Sequence, residues 1–370
     1  IRVQKYFRKK SVLSDYCKLP EYKTVSFVFH FFFTMRHLSK ILVTILTLNI
    51  FFLSSCKNGD DPSPYYEILS QPPFASLTDS IKKEPGRDEL YFHRAVLLNK
   101  NNFPEPALAD FKKAWSLKKN EQYALGIGTI LLNKRPDSAI SFLNEALQKI
   151  PQSLFLRLSL AKAYESQNKI SDALTVCDKI LQIDPHQLDA LLLKADLLDQ
   201  QNNASGAITV LEKAYSINPD ILELDYKLAY KYATAKNPKT IAFCDTLLFK
   251  DSLNEHAEPL YFKGVYYENT GNKKKALDFF SQAIVRDYTF LDAYMNKGEI
   301  LFDQKKYPDA IKVYRLALNV QSTYADAYFW MGKCEEALGQ KAEAKLNYER
   351  AYGLDKTFTE AKDAADRIKN

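Results

Sequence analysis

The chain has 370 residues, 46% of them hydrophobic and 26% charged, enough for a sizeable core in two or three globular domains or in one extended array. Only 11 glycines stand beside 23 tyrosines and 23 phenylalanines, a balance that favours helices over sheets or loop-rich folds. The formal charge of +6 sits at the front: residues 1–55 hold nine Lys or Arg against Asp15 and Glu21, and the remainder carries 42 basic and 43 acidic side chains, so there is no general basic surface to displace phosphate counterions, and nucleic acid is not expected as a partner.

Residues 1–34 start at Ile1 and hold an apolar run at 25–33 ahead of the first methionine, Met35. They read as an over-extended start; if translated, two hydrophobic runs separated by Arg36, His37 and Lys40 would make a signal anchor instead. From Met35 the order is a short positive segment (Arg36, Lys40), 13 mostly apolar residues at 41–53, then Leu53-Ser54-Ser55-Cys56. The apolar run suits a cleaved signal and is shorter than the roughly 20 residues of a spanning helix. Residues 35–55 thus resemble a bacterial lipoprotein signal peptide. The resemblance implies lipidation of Cys56, a membrane anchor, and a place in the cell envelope as an outer-membrane lipoprotein facing the periplasm or the cell surface. Residues 56–72, polar with Gly59, Pro62 and Pro64, read as a flexible tether. Lys57, Asp60 and Asp61 are similar to the acidic export signal of surface lipoproteins.

Beyond the tether, residues 73–87 read as a capping helix and 88–356 as a repeat array. Small residues recur at Ala95, Gly128, Ala161, Ala195, Ala229, Gly264, Gly298 and Gly332, spaced by 33 to 35. A second small series follows each by about twelve: Ala107, Ala139, Ala173, Ala207, Thr240, Ala276, Ala310 and Ala344. Four residues later stands a larger side chain: Phe111, Leu143, Cys177, Leu211, Cys244, Phe280, Tyr314 and Tyr348. Prolines close several units, at Pro151, Pro185 and Pro219. These offsets follow one helical face. Small residues let antiparallel helices approach, the larger ones fill the space between neighbouring pairs, and proline stops a helix. One pair alone cannot bury its apolar face, so pairs must stack.

The pattern resembles the tetratricopeptide repeat (TPR) of roughly 34 residues, eight copies of it, with a charged capping helix at 357–370. The resemblance implies an all-α, right-handed solenoid of antiparallel helix pairs. Three departures stand out: repeat two is short, Thr240 replaces the second small residue of repeat five, and Glu335 replaces an aromatic in repeat eight.

No GxGxxG, Walker loop, HExxH or GxSxG occurs, so no enzyme activity, cofactor or metal is expected. His93, His186 and His256 lie in different repeats without ligand spacing. Cys177 and Cys244, a whole repeat apart, exceed the roughly 7 Å reach of a disulfide, and with Cys334 they read as small core hydrophobes.

By the same resemblance, the first helix of each repeat lines a concave groove that holds polypeptide segments. The groove positions include Phe92, Asp196, Asp199, Tyr226, Tyr230, Tyr261, Glu268, Met295, Glu299, Phe329 and Glu336. Val96, Asn99, Lys162, Glu165, Leu192, Val265, Phe302 and Lys333 complete the set. Six carboxylates against two lysines predict a partner of positive charge, with the aromatics as anchors. The expected function is a membrane-anchored protein-protein interaction scaffold that takes no small-molecule substrate. Two further roles fit the same features: an accessory or specificity subunit of an envelope enzyme that processes peptidoglycan or glycan, or an assembly factor resembling the TPR lipoproteins of barrel assembly or pilus biogenesis.

Overall fold

The structure, a computed structural model, describes residues 64–368; Cys56 and the segments before it lie outside the described residues. Among the described residues there are nineteen helices and no strand. They fall into two compact units that divide at Ile130 and Leu131, within one helix.

The first unit opens with α1 (Tyr66–Leu69) and α2 (Ala75–Lys83), followed by α3 (Asp88–Lys100), α4 (Pro104–Leu117) and the start of α5 (Glu121–Lys134). Helix α1 corrects the tether expected to run to residue 72. Leu69 is buried, and its carbonyl accepts the Thr78 hydroxyl at 2.7 Å, so residues 66–69 belong to the packed first unit. Helix α2 rests on α3. Arg94 of α3, itself buried, grips Asp110 of α4 through Nε and Nη2 at 2.6 and 2.8 Å and donates Nη1 to the Thr78 hydroxyl at 2.9 Å. One fully satisfied polar cluster thus ties α2, α3 and α4 together, as a buried charge requires.

The second unit stacks helix pairs in chain order. After α6 (Pro136–Lys149) come α7 (Leu154–Ser166) with α8 (Ile170–Ile183), and α9 (Leu188–Gln200) with α10 (Ala204–Ile217). Then follow α11 (Leu222–Thr234) with α12 (Lys239–Lys250), α13 (Glu258–Asn269) with α14 (Lys273–Arg286), and α15 (Leu291–Asp303) with α16 (Tyr307–Val320). The unit ends with α17 (Ala325–Ala337), α18 (Lys341–Leu354) and the short α19 (Thr359–Arg367). From α6 each helix packs on the next, and α7–α9, α11–α13 and α15–α17 also touch directly. That is the packing of a TPR-type solenoid.

The paired small and bulky positions meet as their spacing predicts. A methyl group added at Gly298 would lie 2.4 Å from Tyr314 Cε1, and one at Gly264 2.5 Å from Phe280 Cε1. Only a residue without Cβ lets those helices come so close. Thr240 fills its small slot because its hydroxyl donates to the Asn237 carbonyl at 2.7 Å. Glu335 is buried where an aromatic was expected, and accepts Asn347 Nδ2 at 2.7 Å. Between the helices of a pair the chain reverses through one left-handed residue, at Asn102, Asn168, Asn202, Lys236, Gly271, Lys305 and Gly339, with φ between 56° and 84°. The next N–H then bonds back across the turn, as Lys306 does to the Leu301 carbonyl at 2.9 Å, closing the helix end. Repeat two lacks this turn: only Arg135 separates α5 from α6, which is why that repeat is short.

Candidate functional site

The first helices of successive repeats are cross-linked by polar side chains along the predicted groove face. Asp196 of α9 pairs with Lys227 of α11 at 3.0 Å, and Asp199 with Lys231 at 2.6 Å. Gln200 donates to Glu165 of α7 at 2.7 Å, and Asn296 of α15 to Glu268 of α13 at 3.0 Å. Glu336 of α17 accepts Arg367 of α19 at 2.7 Å and the Tyr348 hydroxyl at 2.8 Å.

These bonds correct the predicted charge balance. Lys227 and Lys231 each stand one residue past a predicted groove position, Tyr226 and Tyr230, and neutralise Asp196 and Asp199; Arg367 neutralises Glu336. Both lysines lie off the single helix face that the groove positions follow, and their partners stand on another helix. The offset of 31 to 32 residues between Asp and Lys, close to one repeat length, is the signal that could have revealed them.

Burial corrects the aromatic anchors. Tyr261, Met295 and Phe329, each three residues before the small position of its repeat, are buried, as is Val265. Tyr261 packs against Phe280 of its own repeat and Phe290 ahead of the next, with ring centroids 5.5 and 5.1 Å apart. Phe329 meets Tyr348 and Phe358 in the same arrangement, at 5.5 and 4.7 Å. These rings glue one repeat to the next and cannot grip a ligand without unpacking it. Phe92 in the first unit is half-buried against Phe111 and Tyr123.

Tyr226 and Tyr230 stay half-exposed beside the ring of Phe262, with Lys231 Nζ 5.9 Å from the Tyr230 ring. Phe302 and Lys333 are likewise half-exposed, the ammonium lying 5.7 Å from the Phe302 ring and 4.2 Å from that of Trp330.

A negative field gathers on α13 and α15. Burial first, then Asp292 and Asp199, push the Tyr230 hydroxyl up to about 12. Burial also raises Glu268 above its ordinary 4.5, helped by Glu299 and Asp303 and opposed by the Asn296 hydrogen bond. The face therefore offers half-exposed tyrosines beside carboxylates, with counter-charge from Lys227 and Lys231 on α11 and from Lys273 of α14, which pairs with Asp303 at 3.0 Å.

The cysteines Cys177, Cys244 and Cys334 are buried and unbonded, and burial pushes each thiol up to about 12. Such thiols are poor nucleophiles. Among the described residues no group of three His, Cys, Asp or Glu side chains is placed to hold a metal ion, and no helix is long and apolar enough to cross a membrane.

Comparison with known proteins adds the family. Models of the tetratricopeptide repeat match residues 131–197, 166–221, 257–287 and 325–358, and a TPR-repeat model matches 298–339. The Hsp70-Hsp90 organizing protein of Triticum aestivum is 32% identical over 111 residues, 30% of this chain and 18% of that protein, so the chain spans under a fifth of that relative's length. Similar solved structures include a tetratricopeptide repeat protein from Parabacteroides merdae ATCC 43184 (15% identity, TM-score 0.46, covering 76% of this chain and 99% of that one). The Cut9-Hcn1 hetero-tetramer of the APC/C gives 15% identity and a TM-score of 0.45 over 84% of this chain and 61% of that one. YrrB, a TPR protein with an unusual peptide-binding site, gives 19% identity and a TM-score of 0.37 over 60% of this chain and 97% of that one.

Proposed function

Since the chain is a tetratricopeptide-repeat protein, we propose that it is a protein-interaction scaffold without chemistry of its own, holding an extended polypeptide segment against the first helices of repeats five to seven. The observation that carries this reading is the combination on α11, α13 and α15 of half-exposed Tyr226 and Tyr230 with Glu268 and Glu299. Tyrosines supply rigid, amphipathic contact area, and carboxylates around them select a segment with Lys or Arg. The buried Tyr261, Met295 and Phe329 hold that surface in shape rather than touching the segment.

The site would be presented in the cell envelope. The signal-like order at 35–56 supports this placement, with Cys56 as the lipid-bearing residue. Intact-mass measurement of the membrane-bound protein tests it: a chain starting at an acylated Cys56 is expected, and recovery of residues 36–50 in the mature protein would sink it.

The groove is tested by fluorescence anisotropy with labelled extended peptides, Lys-rich or Glu-rich, at low and high salt. The Lys-rich set should bind and weaken as salt rises. Tyr226→Ala with Tyr230→Ala should cost tenfold or more, by the roughly 2 kcal/mol of a lost aromatic anchor, and Glu268→Lys with Glu299→Lys should abolish the preference for positive charge. Equal binding of both peptide sets by the folded parent would remove this face as the site.

A further inference from the structure

Repeats five and six carry the four most exposed large hydrophobic side chains among the described residues. Phe249, Leu253, Val285 and Tyr288 are 89%, 75%, 86% and 70% exposed. Phe249 and Val285 occupy equivalent places, five residues after the larger side chain of the second helix, Cys244 and Phe280. The other six repeats have Ser116, Gln148, Gln182, Ser216, Asn319 and Gly353 there. Tyr288 likewise stands where other repeats have Pro185, Pro219 or Ser322.

The exposure is built in. The link after α12 is longer than its counterparts, running from Asp251 to Ala257. The Asp251 carboxylate accepts the backbone N–H groups of Glu255 and His256 at 3.1 and 3.0 Å. Arg286, at the end of α14, pairs with Asp251 at 3.5 Å and donates to Asn254 Oδ1 at 3.0 Å. This stitch joins the two segments, one carrying Phe249 and Leu253 and the other Val285 and Tyr288.

We propose that this edge is a lipid-contact surface, inserted among headgroups and upper acyl chains. It rests on the envelope reading above, in which the chain is already held at a bilayer. Three features favour lipid over a protein partner. The four side chains protrude from two helix ends and two links instead of lining a pocket, whereas protein hot spots are packed into complementary ones; a deformable phase needs no complement. Phe, Leu and Val with one amphipathic Tyr is the composition of an interfacial contact. The cations that adjoin Phe249 and Val285 in the chain are already matched, Lys250 by Asp225 at 2.9 Å and Arg286 by Asp251 at 3.5 Å, which lowers the cost of bringing the edge to the interface.

The test uses the full chain and vesicles of phosphatidylethanolamine and phosphatidylglycerol with brominated acyl chains. In Phe249→Trp, the added fluorescence should be quenched beyond that of the two native tryptophans in the parent. Adding Leu253→Ser and Val285→Gln should remove that excess, with the helical circular dichroism unchanged. In a Cys56→Ser background, Phe249→Ser with Val285→Gln should weaken vesicle binding on the order of tenfold or more. A vesicle-bound chain whose introduced tryptophan stays unquenched overturns the proposal and leaves the anchor standing. Quenching that persists when Cys56→Ser changes nothing else keeps the proposal and removes the anchor. A chain that never joins vesicles sinks both. Concentration-dependent self-association abolished by Phe249→Ser would assign the edge to a second copy and overturn the lipid contact.

Discussion

At Lys305 the backbone sits at φ 60°, in the left-handed region, where all the equivalent turns but that of Lys236 carry Gly or Asn. A side chain with Cβ strains that conformation by about 1–2 kcal/mol, partly offset by the greater freedom glycine has when unfolded. Lys305→Gly should therefore raise stability by roughly 0.5–1 kcal/mol, read from the urea midpoint; a drop would show that the Lys305 side chain does more than turn the chain. Glu268 gives a pH signature. Its folded-state pKa is raised above 4.5 by burial and by Glu299 and Asp303, so the folded state holds the proton more tightly than the unfolded. Its contribution is full below 4.5 and is lost as pH rises through the higher folded value. Glu268→Gln keeps the acceptor for Asn296 and removes the titration. The variant should gain on the parent between acidic and neutral pH, and parallel urea series at both should show it. The sequence displayed the small and bulky slots because a helix fixes their spacing. It could not tell an exposed aromatic from one packed between repeats: Tyr230 and Tyr261 look alike until Phe290 is seen to cover the second.

Neighbouring helix pairs are also joined by a recurring ionic clamp. Lys194 of α9 reaches Asp178 of α8 at 2.6 Å, and Lys263 of α13 pairs with Asp245 of α12. The equivalent places between α14 and α15 are held by Ser281 and Lys297. Burial alone lowers the Lys297 pKa, as expected for an ammonium sunk without its counter-ion. Ser281→Asp should complete the clamp and stabilise the protein by about 0.5 kcal/mol, the scale of a half-exposed pair. Titration of Lys297 by NMR should show its pKa rise; no change would mean that the new carboxylate points elsewhere. Such clamps were not legible in the sequence, because they couple positions 16 to 18 residues apart on different helices. The departure at repeat eight was visible as Glu335, but its partner Asn347 was not.

Across the second unit, helices contact mainly their neighbours in the chain, so stability should be a sum of local interfaces. Ala276 is fully buried where α14 meets its surroundings. Ala276→Glu, burying an unpaired carboxylate, should cost about 3–5 kcal/mol, and the lost hydrogen-exchange protection should centre on repeat six and fade on either side. Uniform loss from α6 to α19 would contradict a one-dimensional array. At this scale most of the architecture was readable from periodicity, since each repeat restates the same pattern. Repeat five, with Thr240 and Cys244 in its slots, lies between the matched family segments, yet it packs on α10 and α13 like the rest.

The three buried thiols make the array self-reporting. Cys177, Cys244 and Cys334 sit in repeats three, five and eight, each out of reach of a thiol reagent while its own helix stays closed. Their rates of alkylation in native buffer, resolved by peptide mass, would time the opening of three separate places along one chain without introducing a label. If openings spread from the ends inward, Cys334 should react before Cys244; if the long link after α12 is a weak seam, Cys244 should react first. The same seclusion keeps these three thiols from mispairing when the folded protein meets an oxidant.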